Sequence, residues 1–220
     1  MNRLTLALDV MGGDFGPRVT IPASILALQR DPQLSLILFG DSAQISPYLS
    51  DLPSDIQQRL QLNHCSRYIA NDQDITSALR HSKGSSMRLA IEAVQQGNAH
   101  GAVSGGNTGA LMGLAKVLLQ PLQGIARPAL VASLPTMDGG KTIMLDLGAN
   151  LECDAQNLYQ FALMGNIFAQ NQLDLVFPRI ALLNIGVEAI KGRQAIREAA
   201  TLLAQNTELN YCGFIEGNQL

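Results

Sequence analysis

The sequence predicts an α/β fold built around a mostly parallel sheet, and three observations lead to it. Short apolar runs of strand length alternate along the 220 residues with stretches whose apolar positions recur at helical spacing. Polar, glycine-containing clusters follow four of those runs. The composition, 47% hydrophobic and 15% charged, is that of a chain with a buried sheet. Alternating buried strands and amphipathic helices imply parallel strands joined by helical crossovers.

In chain order, residues 4–10 (LTLALDV) read as the first strand. Gly12, Gly13, Asp14, Phe15, Gly16 and Pro17 then form a glycine turn entering a helix, with proline suited to the first turn. This segment fits a tight βα turn and a phosphate loop equally well. Residues 34–39 are a second strand, and Asp31 with Pro32 and Ser46 with Pro47 mark turns. Met87, Ala90, Ile91 and Val94 lie on one helix face, and Ser85 and Ser86 ahead of them are placed to cap it. Residues 102–104 end a strand, and Leu111, Leu114, Ala115 and Leu118 line the next helix. Residues 130–134, 142–147 and 180–185 read as further buried strands. Ile196, Ala199, Ala200 and Leu203 mark a last helix. No repeat, linker or low-complexity tract interrupts the pattern, so residues 1–220 read as one α/β domain.

Ligands of such sheets bind beyond the carboxyl ends of the strands. The polar clusters fall there: Asp9, Gly12, Gly13 and Asp14; residues 104–108; Asp146, Gly148, Ala149 and Asn150; and Asn184, Gly186, Glu188 and Lys191. Four clusters on one rim is the expectation. Residues 102–112, AVSGGNTGALM, carry the strongest signal. A strand ending in Ser104, a turn of Gly105, Gly106, Asn107 and Thr108, and an immediate helix aim backbone N–H groups and the positive end of a helix dipole at one point. That is an anion site.

Other chemistries lack their residues. A net charge of −3, no basic block, and four Tyr, six Phe and no Trp argue against nucleic acid. The N-terminal apolar run is too short for a signal h-region or a membrane span. Cys65, Cys153 and Cys212 are odd in number, far apart and without CxxC, which fits filler thiols in a reducing, cytoplasmic compartment. His64, His81 and His100 have no metal spacing; His64 and Cys65, adjacent on a strand, would face opposite sides. No metal and no cofactor is expected. Gly139, Gly140, Lys141 and Thr142 imitate the end of a P-loop, but Pro135 stands where its first glycine belongs, and a strand follows. Asp9, Asp14, Asp146 and Glu152 suit helix capping more than a cation. Lys83, Arg88, Arg127, Lys141, Lys191 and Arg193 are cations near loops; Lys191 and Arg193 lie beside the cluster at Asn184.

Together the stretches LDVMGGDFGP, SSMRLAIEAV, AVSGGNTGALMGLA, IARPAL, LDLGANLECDAQNLYQFALMGN and LLNIGVEAIKG resemble, in order, the bacterial phosphate acyltransferase family, the acyl-carrier-protein:phosphate acyltransferases of phospholipid synthesis. Gly105 stands where the family usually has alanine. His81, Ser82, Lys83 and Gly84 replace a more basic run that usually ends in an acid. The family continues past FIEGN, so the resemblance implies that its C-terminal third is absent here. That third completes the sheet and mediates dimerisation and membrane contact. The implied fold is three-layered and similar to isopropylmalate dehydrogenase, in the broad Rossmann-like class.

The resemblance implies transfer of a long fatty acyl group from an acyl-carrier-protein thioester to inorganic phosphate. The acyl phosphate would be passed to a membrane-bound glycerol-3-phosphate acyltransferase, and a homodimer would work in the cytoplasm, peripheral to the inner membrane face. Phosphate is already a nucleophile at neutral pH, and a thiolate of pKa about 8.5 leaves without much help. Positioning and oxyanion donors remain to be supplied, each donor being worth ~10²–10³ in rate. On that basis Ser104, Gly105, Gly106, Asn107 and Thr108 hold phosphate, with charge from Lys191. Asn107, Asn150 and Asn184 are oxyanion or orienting donors. Asp9, Asp14 and Asp146 order the loops, and Gly12, Gly13, Ser85, Ser86, Arg127 and Glu188 complete the site. The helix face of Leu158, Phe161, Ala162, Gly165 and Phe168 reads as core first and as an acyl-chain groove second. Alternatives are a coenzyme A-dependent short-chain phosphate acetyltransferase, a dehydrogenase, and an inactive chain that only binds carrier protein or the membrane acyltransferase.

Overall fold

A computed structural model describes residues 3–186 and 192–219. Glu188 and Lys191, two of the expected site residues, lie outside the described residues. The chain divides into two compact units, Met1–Gln120 and Pro121–Leu220.

The first unit holds a four-stranded parallel sheet: β1 (Leu4–Asp9), β2 (Leu34–Gly40), β3 (Leu60–His64) and β4 (Gly101–Ser104), in the order β3-β2-β1-β4. Strand alternation sorts the side chains into two layers. Leu36 and Leu38 of β2 pack on one face with Ile21 and Leu28 of α1 (Pro17–Arg30), and with Ile45 of the short α2 (Ser42–Ile45) and Ile56 of α3 (Ser54–Gln57). Ala7, Ile37 and Phe39 face the other way onto Ala90 and Ala93 of α5 (Ser86–Gln95). Helices therefore cover both faces, which is why β2 is apolar without a break from Leu36 to Phe39. α4 (Ile75–His81) packs on α6 (Thr108–Leu119) through Gly109 and Gly113. A Cβ there would lie 2.3 Å from Ile75 Cδ1 and 2.9 Å from Leu79 Cδ2.

The second unit begins with β5 (Val131–Pro135) and β6 (Lys141–Leu145), an antiparallel pair. This corrects the reading of residues 130–134 and 142–147 as buried strands of a parallel sheet. The connection at residues 136–140 is too short for a crossover, which needs a dozen residues or more, so the pair can only be a hairpin. Gly139, at φ +83°, makes its turn. The pair is half-exposed, with Val131 on the outside. α7 (Ala155–Leu173) starts from a capping box in which Asp154 takes the Asn157 N–H and the Asn157 side chain takes the Asp154 N–H. β7 (Arg179–Leu183) and β8 (Asn210–Ile215) are parallel and linked by α8 (Gln194–Gln205). Leu182, Ala199, Leu203 and Leu209 form the core.

The described strands fall into three hydrogen-bonded sheets, in which parallel pairing predominates. Among the described residues, no helix is long and apolar enough to cross a membrane.

Leu38 is 0% exposed and Leu26, on the outer face of α1, is 46% exposed. Leu38→Ala should destabilise the chain by about 3 kcal/mol, whereas Leu26→Ala should stay within about 0.5 kcal/mol, as read from urea denaturation.

Candidate anion-binding site

In the sheet of the first unit, β1, β2 and β3 progress outward in one direction, while β4 lies on the other side of β1. The order reverses between β1 and β4, which is where open α/β sheets bind their ligands. The last residues of these two strands, Asp9 and Ser104, are register partners. Ser104 Oγ donates to Asp9 Oδ2 at 2.7 Å and accepts the Gly106 N–H at 3.1 Å. Asp9 is 3% exposed, and its second oxygen, Oδ1, is buried without a hydrogen-bond partner.

Glycines let the two loops cross above this pair. A Cβ on Gly12 would stand 2.7 Å from Asp9 Oδ2 and 2.9 Å from both the Gly106 nitrogen and Ser104 Oγ. No side chain fits there. Gly13, at φ +90°, has the Gly105 carbonyl oxygen 3.4 Å from where its Cβ would be. Gly105 itself is open: its Cβ would meet nothing closer than 3.8 Å, so an alanine fits there.

Asn107 caps α6, its Oδ1 accepting the Ala110 N–H at 2.9 Å. Its Nδ2 donates to the carbonyls of Asn71, at 3.0 Å, and Gln73, at 2.9 Å. Asn71 Nδ2 in turn donates to Asp14 Oδ1 at 2.8 Å. One network therefore ties the glycine loop after β1, the loop at residues 71–73 and the start of α6. The Asn107 amide is engaged at both ends and holds the loop. The N–H groups of Thr108 and Gly109, in the first turn of α6, have no acceptor within the helix, and Thr108 is exposed.

Ser85 and Ser86 are buried at the start of α5. Ser85 Oγ caps through the Arg88 N–H at 3.4 Å, and Ser86 Oγ is buried without a partner. Met87 follows, and its Cε lies 3.1 Å from where a Gly106 Cβ would be. His64 is exposed and Cys65 buried, on opposite faces as expected. Burial, and then the charges of Asp9 and Asp41, push the Cys65 thiol up to about 11, so it is no thiolate at neutral pH.

The remaining expected residues belong to the second unit. Asp146 Oδ1 accepts the Leu130 N–H at 2.8 Å, and Oδ2 accepts the backbone N–H of Asn150 at 2.8 Å and its Nδ2 at 3.0 Å. Asn150 Nδ2 also donates to the Pro128 carbonyl. Arg127 Nη1 donates to the Glu152 carbonyl at 3.1 Å. Asn184 is buried, with Nδ2 donating to the Gly186 carbonyl. Burial works to raise the Asp146 pKa, but the hydrogen bonds from Leu130 and Asn150 outweigh it and hold the carboxyl below the ordinary value. Phe161 is buried, and with Leu158, Ala162 and Gly165 it lines an open cavity of roughly 640 Å³ against β6 and β7.

Asp9, Asp14 and Asp146 do not cap helices; each braces a loop. The caps are Asp41, Asp74, Ser85, Asn107 and Asp154. The residue missed from the sequence is Asn71. It sits in no motif, and its role rests on a backbone carbonyl and one amide that only the fold brings to Asn107 and Asp14.

Among solved structures, a branched-chain phosphotransacylase from Enterococcus faecalis matches with a TM-score of 0.65 at 17% identity, over 96% of this chain and 67% of that one. At that identity the likeness concerns the fold alone. The family described as fatty acid synthesis protein matches residues 4–220. Relatives named phosphate acyltransferase include one from Mannheimia succiniciproducens, 72% identical, and one from Pasteurella multocida, 68% identical. Each match covers all of this chain and 65% of the relative. The chain belongs to the fatty acid synthesis protein family and spans just under two thirds of the length of these relatives.

Gly12→Ala should cost about 1–3 kcal/mol through overpacking, and Gly105→Ala should stay within about 0.5 kcal/mol, both by chemical denaturation. Asp146 contributes stability that is fully present above the ordinary carboxylate value of 3.8 and is lost as pH falls through its lower folded value. The protection of the Leu130 amide, its exchange rate relative to the intrinsic rate at the same pH, should therefore fall in acid in the wild type. In Asp146→Asn it should be low at neutral pH already.

Proposed function

We propose that this chain carries the phosphate-binding half of the chemistry of a phosphate acyltransferase. In this reading it transfers a long fatty acyl group from acyl-carrier protein to inorganic phosphate, reversibly, and feeds glycerophospholipid synthesis. The observation that carries the reading is the open start of α6 at the sheet's reversal point, fixed by Asp9, Ser104 and Gly106. The family membership supports it.

Phosphate binds the N–H groups of Gly105, Thr108 and Gly109 and the Thr108 hydroxyl. Ser104 acts beneath them. Its hydroxyl proton is committed to Asp9, so it shapes the turn instead of donating to the anion. Asn107 and Asp14 orient the loops, a role their hydrogen bonds support. A phosphate oxygen attacks the thioester carbonyl, a C–O bond forms, the C–S bond breaks, and the thiolate takes a proton from solvent. No general base is needed for an ionised phosphate, and neither Cys65 nor a histidine is asked to supply one. Use of the acyl phosphate by a membrane-bound glycerol-3-phosphate acyltransferase, homodimerisation of the longer relatives and a cytoplasmic location belong to the same proposal.

Incubating the chain with long-chain acyl-carrier protein and phosphate, and trapping acyl phosphate with hydroxylamine, should yield hydroxamate that depends on phosphate. Hydroxamate formed only from a coenzyme A thioester would select the short-chain acetyltransferase reading instead. Equal product without phosphate would contradict both.

A further inference from the structure

We propose that Arg67, Arg80 and Lys83, with the exposed Tyr68, form the docking surface for the acidic carrier protein that presents the thioester. The inference rests on the reading above that the acyl donor is carrier-bound. The chain as a whole is acidic, with 15 Lys and Arg against 18 Asp and Glu. Residues 67–88 reverse that balance: Arg67, Arg80, Lys83 and Arg88 stand against Asp72 and Asp74. Arg88 is spent internally, its Nε paired with Glu92 at 2.6 Å and its Nη1 on Ser82 Oγ at 3.2 Å. Arg67, Arg80 and Lys83 are exposed and make no ion pair among the described residues.

Backbone contacts fix their arrangement. Arg67 forms a bridge with Ser85, its carbonyl accepts the Ser86 N–H at 3.0 Å, and its Nη1 donates to the Lys83 carbonyl at 3.4 Å. Arg80 and Lys83 lie at and just past the C-terminal end of α4. Asp74 caps the other end of α4 through the Ser77 N–H at 2.8 Å, leaving Asp72 in the adjoining loop. Neutralising the end of α4 explains Arg80 and His81 on stability grounds, but not Arg67 or Lys83, which lie off that helix.

The position of the surface argues for the donor. Ser85, between the cations and α5, is two residues from Met87, which touches Gly106, and the loop after Tyr68 carries Asn71, bonded to Asp14. A protein seated on these cations lies beside the glycine loops. Tyr68, 57% exposed, adds an aromatic anchor next to an arginine, the residue types that dominate protein interfaces. Carboxylates of an acidic partner would meet cations that hold no competing ion pair, and the attraction would weaken with salt.

The test uses the 220-residue chain, acyl-carrier protein and calorimetry at low and at high salt. Wild type should bind the carrier with an affinity that falls as salt rises. Arg67→Glu, Arg80→Glu and Lys83→Glu combined should weaken binding about tenfold or more at low salt and remove most of the salt dependence, with phosphate binding unchanged. Arg67→Gln with Lys83→Gln, milder at exposed positions, should give a smaller loss in the same direction if the triple variant fails to fold. Unchanged carrier binding in a folded variant overturns the docking surface and leaves the donor reading intact. A variant that keeps carrier binding but loses binding to anionic phospholipid vesicles assigns the cations to a membrane and also overturns it. No carrier binding by wild type at either salt overturns the proposal together with the carrier-bound donor.

Discussion

Two backbone turns cross at Gly12 and Gly106, close enough that a single methyl group on Gly12 would collide with a carboxylate, an amide nitrogen and a hydroxyl at once. Beneath the crossing, a buried aspartate at the end of β1 and a serine at the end of β4 join the two strands where the sheet changes direction. The local architecture of the first unit follows from this contact. The serine hydroxyl has only one proton, and giving it to Asp9 leaves its lone pairs for the Gly106 N–H. The turn after β4 is thereby fixed, and α6 begins at once, with Asn107 as its cap and as its latch onto residues 71–73. The first-turn amides of Thr108 and Gly109 have no acceptor within α6.

This economy explains a site with little titratable equipment. A reaction whose nucleophile arrives ionised and whose leaving group is a thiol needs geometry more than proton transfer. Several of the nearby titratable groups among the described residues are engaged elsewhere. Asp14 holds Asn71, Asp41 and Asp74 cap helices, and Cys65 is buried with its thiol pushed up. The carboxylates of Asp9, Asp14 and Asp146 act as braces.

Much of this was legible in the sequence. The apolar run from Leu36 to Phe39 in β2 announced a strand covered on both faces, and the spacing of Met87, Ala90 and Ile91 announced α5. The glycine turn after β4 announced the strand-to-helix turn that opens α6. The pairing of residues 131–145 was misread because hydrophobicity alone does not give direction; the five-residue connection did, since it cannot span a crossover. The aspartates at strand ends suited capping by composition, but whether an aspartate caps or braces depends on which backbone N–H the fold brings to it. Asn71 was invisible for the same reason. Its partners, Asp14 and Asn107, are 57 and 36 residues away.

The account stands on the amides at the start of α6 being the anion site. The most direct measurement is a titration of the isotope-labelled chain with inorganic phosphate, following backbone amide resonances. The account predicts saturable shifts at Gly105, Thr108 and Gly109, with Gly106, already held by Ser104, moving least. Saturable shifts confined to other segments, with these amides unmoved, would contradict it.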